Sequence, residues 1–243
     1  MLGEQIRNIR KSRDFTLKAL AEQTGLSIGY ISQIERNLTD PSLSTLRKIS
    51  AALDVPTYLF MGEAEEMYKK IVDNRSIKEE DARATAKIVG LSAIKYGDLS
   101  NQASKDYIFD IERFTSFEGN TGPYILYTTV RIKSILNRYK EEGGNLDTLK
   151  ILAAGSDSEK ALMLEASKFN QVITNAYEEK APHKICSYIY ELANAFNRFY
   201  HETKILAEED QAKKESYLAL LMLVKNILEA CIDMLGFEAP ERM

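Results

Sequence analysis

The sequence predicts an all-α protein with a small helical head followed by a larger helical body. Along most of the chain, apolar residues recur at intervals of three and four, the spacing that places them on one face of a helix. The 243 residues include only 5 Pro and 12 Gly. Because these two residue types are the ones that most often interrupt helices, their small number allows long helices. With 44% hydrophobic and 28% charged residues, the composition is globular and excludes a disordered or collagen-like chain.

Other protein classes are excluded by the distribution of apolar and metal-binding residues. The longest apolar run, 218–224, has 7 residues, against about 20 in a membrane-spanning helix. Charges interrupt the first residues, unlike a signal peptide, so we expect a cytoplasmic protein with no membrane partner. Cys186 and Cys231 lie on apolar patterns without CxxC pairing, and His183 and His201 lack further ligands at metal-binding spacing. We expect no metal, no cofactor and no catalytic residues.

Residues 1–61 form the predicted head, and their spacing predicts several short helices. Apolar residues share a helix face in four successive groups: Ile6 with Ile9; Leu17, Leu20 and Ala21; Ile31 with Ile34; and Leu43, Leu46, Ile49 and Leu53. Thr16 and Ser27 stand at N-cap positions, and Gly25 stands where a left-handed residue ends a helix. This pattern predicts a helix, a three-residue turn and a second helix.

The helix over 27–36 has two unlike faces when it is projected at about 100° per residue. Ile31 and Ile34 lie on one side. The other side carries small, polar and basic residues, namely Gly29, Ser32, Gln33 and Arg36. Such a face fits the major groove of DNA, where Gln33 can pair with adenine and Ile28 can contact a thymine methyl. The expected phosphate ligands are Arg10, Lys11, Arg13, Lys18 and Arg36. The alternative is a protein-interaction module whose third helix is simply solvated.

The run TLKALAEQTGLSIGYISQIERNLTDPSLSTLRKISAALDVPTYLF resembles the XRE or phage-repressor helix-turn-helix family. The resemblance covers residues 4–60 and implies a five-helix, lambda-repressor-like domain that binds operator DNA as a dimer. It implies that the bases are faced by Ser27, Ile28, Gly29, Ser32 and Gln33, and the phosphates by Thr16 and Arg36. Asn37 and Asp40 depart from the Gly and basic residues that are more common in the following loop. Residues 1–61 hold 8 Lys and Arg against 6 Asp and Glu, whereas the remainder holds 24 against 30, so the head is the expected polyanion binder.

The predicted body comprises connecting helices over 62–118 and a bundle over 119–243, with no flexible tether after the head. Helical periodicity runs through 63–72, 78–96 and 121–139, and it fails between Tyr96 and Gly119, where 107–109 is a candidate short strand. Asn120 or Thr121 is the expected N-cap of the next helix. Apolar stripes over 185–206 and 218–235 predict two closing helices, the second of which ends at Gly236.

The body resembles the class I arginyl-tRNA synthetases over residues 64–243, from the end of the catalytic region through the DALR anticodon-binding domain. The resemblance rests on AKIVGLSAIKYGDLSNQASKDYIFDIERFTSFEGNTGPYILYTTVRIKSIL, on PHKICSYIYELANAFNRFYHETKIL and on the closing APERM. It implies a DALR-type bundle that binds the anticodon stem and loop of tRNA(Arg). Aromatic rings can stack on splayed bases, and the candidate RNA-contacting residues are Tyr124, Tyr127, Arg131, Tyr200, Tyr217 and Met243.

The motifs absent from the chain bear on function as much as those present. Neither a HIGH signature nor a KMSK-type loop occurs, so we expect no ATP site and no enzymatic activity. The first hypothesis is a transcription regulator whose head binds operator DNA and whose body senses tRNA(Arg). The second is a truncated arginine-tRNA ligase-like protein that binds tRNA but cannot aminoacylate alone. The third makes the body only a dimerisation or protein-interaction module. A homodimer is expected because helix-turn-helix domains bind paired half-sites.

Overall fold

The computed structural model describes residues 2–55, 60, 79–108 and 110–243, and the regular elements within these ranges are all helices. The head contains α1 (Leu2–Ser12), α2 (Leu17–Thr24), α3 (Ile28–Glu35) and α4 (Leu43–Ala52). Ser42 and Ile108 form an isolated antiparallel bridge. The predicted all-α fold class is confirmed.

The α2–turn–α3 unit has the helix ends that the sequence predicts. Thr16 accepts the amide of Ala19 at 3.0 Å, and Ser27 accepts the amide of Tyr30 at 3.1 Å. Gly25 ends α2 with a φ of 69°, a conformation that glycine adopts without steric cost. The predicted apolar groups converge on one core, with at most 1% exposure for Ile6, Leu20, Ile31, Ile34, Leu46, Ile49 and Leu53. The fifth helix that the resemblance implies falls after α4, outside the described residues except for Phe60, which is buried.

A buried ion pair joins α1 to α3. Arg10 Nε lies 2.5 Å from Glu35 Oε1, Arg10 Nη2 lies 2.9 Å from Glu35 Oε2, and Arg10 Nη1 donates to the carbonyl of Phe15 at 2.6 Å. The hydrogen bond to Glu35 raises the pKa of Arg10 above its usual value. The prediction that Arg10 contacts a DNA phosphate is therefore wrong, because its guanidinium is buried and its donors face the interior of the head.

The described part of the body is a bundle of four long helices and three shorter ones. Its helices are α5 (Glu79–Leu99), α6 (Ile111–Phe114), α7 (Gly122–Glu141), α8 (Asp157–Ser167), α9 (Phe169–Glu178), α10 (Pro182–Glu202) and α11 (Gln211–Met234). α7 packs between α5 and α11, and α10 packs against α8 and α9. Thr121 is the N-cap of α7, and Gly236 follows α11 with a φ of 78°, as the sequence predicts.

The structure departs from the sequence predictions at two places in the body. The candidate strand over 107–109 is wrong for the described residues, since Ile108 makes only the single bridge to Ser42 and Phe109 lies outside them. The sequence pattern does not predict α8 and α9. In α8, Leu162 is buried while Leu164 is 56% exposed, so its apolar residues do not form one clear stripe. The helix predicted over 63–72 lies outside the described residues.

The body is tied together by one buried phenol and one close helix approach. Tyr96 Oη lies 2.5 Å from Asn120 Oδ1 and 2.8 Å from the carbonyl oxygen of Cys186, which links α5 to the start of α7 and to α10. Gly122 lies so close to α5 that a Cβ there would be 2.4 Å from the carbonyl oxygen of Ser92. The start of α7 is therefore fixed against α5 on both sides of its N-cap.

We predict that Gly122→Ala destabilises the protein by about 1–3 kcal/mol, because the added methyl group meets backbone and the helices must separate. Gly29→Ala is the matched control, since nothing lies within 4 Å of a Cβ built at Gly29. There we expect no loss, or a gain of up to about 1 kcal/mol from helix propensity. Urea denaturation measures both free energies of unfolding, and equal losses would contradict the close approach of α5 and α7.

We also predict that Arg10→Met lowers the stability of the head by about 3–5 kcal/mol, because it leaves the Glu35 carboxylate buried without its partner. Lys11→Met is the control, because Lys11 is the exposed neighbour and surface substitutions stay within about 0.5 kcal/mol. Thermal and urea melts check the difference. A structural role for Arg10 is rejected if the two variants unfold alike.

Candidate nucleic-acid interfaces

The exposed face of α3 is the candidate DNA-binding surface. Ile31 and Ile34 are buried in the head core, whereas Gly29 and Gln33 are exposed and Ile28 is 47% exposed. The separation of a packed face from an open face, which the sequence predicts, is therefore confirmed. Because Gly29 carries no side chain and has open space around it, the backbone of α3 can approach a broad ligand closely.

The residues flanking this face are also accessible. Thr16 and Ser27 are exposed at the starts of α2 and α3, where backbone amides without helical partners point out of the helix. Arg36 Nε donates to the carbonyl of the half-buried Ser32 at 3.2 Å, which lays the guanidinium along the end of α3. The remaining predicted phosphate ligands are exposed, namely Lys11, Arg13 and Lys18.

The loop after α3 is anchored to α1 by Asn37. This residue has a φ of 53°, in the left-handed region that asparagine tolerates better than most residues. Its Oδ1 accepts the amide of Gly3 at 2.8 Å. Asn37 thus adopts the backbone conformation for which glycine is common at this position, and it adds a link to α1. Asp40 is exposed in the same loop.

The body carries a cleft, here called the tyrosine cleft, between α7 and the end of α10. It has a volume of about 640 Å³. The Arg131 guanidinium carbon lies 4.7 Å from the centre of the Tyr127 ring and 5.1 Å from that of the Tyr200 ring, within the range of cation–π attraction. Both rings are partly exposed, at 41% and 36%. Four of the six predicted RNA-contacting residues line this cleft, namely Tyr127, Arg131, Tyr200 and Met243.

A polar network behind the tyrosine cleft orients Arg131. Its Nη1 donates to Asn197 Oδ1 at 2.8 Å, and Asn197 Nδ2 donates to the hydroxyl of Tyr124 at 2.9 Å. The Tyr124 hydroxyl in turn donates to Asn194 Oδ1 at 2.7 Å. Burial raises the pKa of Tyr124, so the phenol stays a donor. The structure thus places Tyr124 behind the cleft rather than in its lining.

Sequence reasoning missed several residues of the tyrosine cleft and included two outside its lining, Tyr124 and Tyr217. The missed polar and cationic lining residues are Ser134, Arg138, His201, Thr203 and Lys204. Positions 127, 131, 134 and 138 recur at helical spacing, so one stripe of α7 contained the signal. Tyr217 is half-buried in an edge-to-face contact with Phe199, with ring centres 5.4 Å apart, and it does not line the cleft. Its contact with RNA stays a prediction.

A small set of polar contacts joins the head to the body. Ser44 Oγ donates to Asp106 Oδ2 at 2.6 Å, and hydrogen bonds led by this one lower the pKa of Asp106. Arg47 Nη2 lies 3.8 Å from Asp98 Oδ2, and Asp98 Oδ1 accepts the hydroxyl of Tyr107 at 2.9 Å. The start of α4 therefore contacts the segment that follows α5.

Outside these surfaces, the described residues include no cluster of metal-ligating side chains, and both cysteines are buried. Within the described ranges, no three His, Cys, Asp or Glu side chains gather as metal ligands would. Among the helices described, none has the length and the apolar surface required to cross a bilayer. Cys186 and Cys231 are buried free thiols, and burial raises the pKa of each to about 12.

Two protein families match the chain, one in each part. The helix-turn-helix family matches residues 6–60, and the DALR anticodon binding domain family matches residues 125–243. The arginine-tRNA ligase of Agathobacter rectalis is 63% identical over 194 residues, which are 76% of this chain and 32% of the ligase. That of Alkaliphilus oremlandii is 51% identical over 179 residues, 74% of this chain and 30% of the ligase. The chain thus spans about a third of the length of these relatives.

Solved structures show the same similarity in three dimensions. Arginyl-tRNA synthetase from Plasmodium falciparum is 26% identical with a TM-score of 0.66, covering 74% of this chain and 32% of that chain. The Thermus thermophilus enzyme shares the fold, with a TM-score of 0.63 at 23% identity over 86% of this chain and 40% of that chain. Residues 6–60 are therefore a helix-turn-helix domain, and residues 125–243 are a DALR anticodon binding domain similar to the C-terminal part of arginine-tRNA ligases.

Proposed function

We propose that the chain is a DNA-binding transcription regulator of the XRE type whose body binds tRNA(Arg) and that it does not aminoacylate. The observation that carries the proposal is the open face of α3, where Gly29 and Gln33 are exposed above a core that holds Ile31 and Ile34. A protein that only binds tRNA through its body has no need of such a face.

The chemistry of this face suits base recognition. The amide of Gln33 presents a donor and an acceptor together, which matches the N6 and N7 edge of adenine in the major groove. Ile28 offers an exposed apolar surface of the kind that contacts a thymine methyl. Arg36 and the backbone amides at the start of α2, beside Thr16, can donate hydrogen bonds to phosphates on either side.

The tyrosine cleft supports the RNA part of the proposal. Two partly exposed rings, Tyr127 and Tyr200, flank a guanidinium that Asn197 holds in place. Unpaired bases stack on such rings and on arginine planes. The similarity to arginine-tRNA ligases gives tRNA(Arg) as the RNA to test first.

A truncated ligase-like protein that binds tRNA without regulating genes is the second candidate function. The 63% identity to a ligase over 194 residues favours it, since this identity concerns the body. Under this hypothesis the chain binds tRNA but has no operator. A body that serves only as a dimerisation or protein-interaction module is the third candidate, and it predicts binding of DNA without binding of tRNA.

The proposed regulator acts as a homodimer. A single helix-turn-helix head contacts few base pairs, and two heads bind half-sites about one helical turn apart. Apart from the exposed Ile28 and Leu38, the large apolar residues described in the head pack into or against its own core, so the body is the part expected to hold two heads at this spacing.

We predict that Gln33→Ala weakens operator binding by about 1–3 kcal/mol, because it removes a base contact and no core atom. The operator is first selected from genomic fragments with the wild-type protein, and affinity is then measured by fluorescence anisotropy at fixed salt. Gln171→Ala, the same change at an exposed position of α9, is the matched control. Wild-type affinity in both variants would reject α3 as the recognition helix, and recovery of no specific DNA would favour the ligase-like alternative.

We further predict that tRNA(Arg) changes operator affinity by at least about fivefold, and that the operator changes tRNA affinity by the same factor, as linkage requires. The measurement is a titration of charged and uncharged tRNA(Arg) into a preformed protein–operator complex at fixed salt. Tyr200→Leu removes one ring of the tyrosine cleft and should abolish the effect.

Two controls make this titration specific. Tyr177→Leu makes the same change at a tyrosine of α9 that is 84% exposed and lies outside the tyrosine cleft. A non-cognate tRNA corrects for bulk electrostatics, because both ligands are polyanions. Equal effects of cognate and non-cognate tRNA, or none, would eliminate the tRNA sensor and leave the dimerisation module.

A further inference from the structure

A buried lysine on α7 holds the segment 239–243. Lys133 Nζ lies 2.6 Å from Glu241 Oε1, 3.4 Å from the carbonyl oxygen of Ala239 and 3.5 Å from that of Pro240. One ammonium group therefore contacts three consecutive residues. Two of these contacts are to backbone oxygens, so the lysine fixes the path of the chain there and not only one side chain.

The charge on Lys133 is compensated inside the body. The side chain of Lys133 is 9% exposed, and Nζ also lies 3.1 Å from Glu229 Oε1. Burial by itself lowers the pKa of Lys133, but the hydrogen bonds that Lys133 donates to Glu241 and Glu229, together with the charges of these carboxylates, raise the pKa overall. A buried ammonium requires such partners, because an unpaired charge is strongly disfavoured in the interior. The segment 239–243 supplies one of its two carboxylates.

The same segment forms part of the tyrosine cleft. Pro240 is buried, Glu241 and Arg242 are exposed, and Met243 is half-buried in the lining of the cleft. The chain is thus exposed at the two residues after Pro240 and packs against the body again at Met243. Ser134, the residue after Lys133 on α7, lines the cleft as well. The lysine holds the segment immediately before the exposed part that leads back to the cleft.

We propose that Lys133 is a positioning residue for RNA binding, which holds residues 239–241 so that Met243 forms one wall of the tyrosine cleft. This inference rests on the RNA part of the proposed function. When the contact with Glu241 is lost, the exposed residues of the segment are released and Met243 leaves the cleft. The Arg131 platform remains, but a base bound on it has no wall on that side.

The exposure of Glu241 allows a test that does not disturb the core. Its side chain is 79% exposed, so Glu241→Lys places a like charge beside Lys133 without removing buried atoms. Glu238→Lys is the matched control, because it makes the same charge change at an exposed position that is not among the contacts of Lys133. Both variants change the net charge by the same amount, so weaker binding of Glu241→Lys than of Glu238→Lys reports on the segment and not on the total charge.

We expect Glu241→Lys to bind tRNA(Arg) about tenfold more weakly than Glu238→Lys, in line with the loss of one base contact. Operator affinity should be the same in both variants. Glu241→Gln, which keeps a hydrogen-bond acceptor for Lys133, should retain most of the affinity. Lys133→Met should resemble Glu241→Lys if it folds. Hydrogen exchange should show faster amide exchange at residues 242–243 in Glu241→Lys than in Glu238→Lys.

The outcomes separate this inference from the proposed function. If the wild-type protein does not bind tRNA(Arg) above a non-cognate control, the RNA part of the proposed function fails and the inference fails with it. If the wild type binds and the two lysine variants bind equally, the inference alone is overturned. Faster exchange at 242–243 without any loss of tRNA affinity also overturns it, because the segment would then be held without serving the cleft.

Discussion

The hydroxyl group of Tyr96 is the interaction on which the arrangement of the body depends. It lies within hydrogen-bonding distance of Asn120 and of the carbonyl oxygen of Cys186, so one buried phenol ties α5 to the turn before α7 and to α10. Burial raises its pKa, so the group remains a neutral donor. The tyrosine cleft is made by α7 and α10. The spacing of Tyr127 and Tyr200 therefore depends on how α5 holds both helices, together with the network of Arg131, Asn197 and Tyr124 that joins α7 to α10 beside the cleft.

Sequence signals that act within a few residues, such as helix caps, predict most of the fold. The features that they do not predict depend on contacts between residues distant in sequence. The N-caps Thr16, Ser27 and Thr121 can be recognised in the sequence, because each side chain accepts a hydrogen bond from the amide only three residues further on. Arg10 is different, since its burial depends on Glu35, which lies 25 residues away in sequence and on another helix. The resemblance implies four residues of the tyrosine cleft, but it does not imply Arg138, His201 or Lys204, because their meeting depends on how α7 packs beside α10.

The distribution of charge explains how an acidic body can carry a candidate RNA site. The chain has a formal net charge of -4, and most of the acidic excess belongs to the body. The tyrosine cleft nevertheless gathers Arg131, Arg138 and Lys204, while several carboxylates elsewhere are engaged with lysines or arginines, as in the pair Lys225 and Glu229. Electrostatic attraction in a cleft depends on the charges that line it more than on the total. Counts of charged residues in the sequence cannot predict this local cluster of positive charge, because they average over the whole surface.

Several of the described contacts between head and body do not depend on which side chains the head carries. The amide of Leu43 donates to the carbonyl of Tyr107 at 3.1 Å, and this contact, like the bridge between Ser42 and Ile108, uses backbone atoms that every residue type except proline can supply. Among the described side chains of the head, Ser44 and Arg47 contribute as well, through their contacts with Asp106 and Asp98. The described junction therefore constrains the path of the backbone at the start of α4 more than the types of residue that it carries.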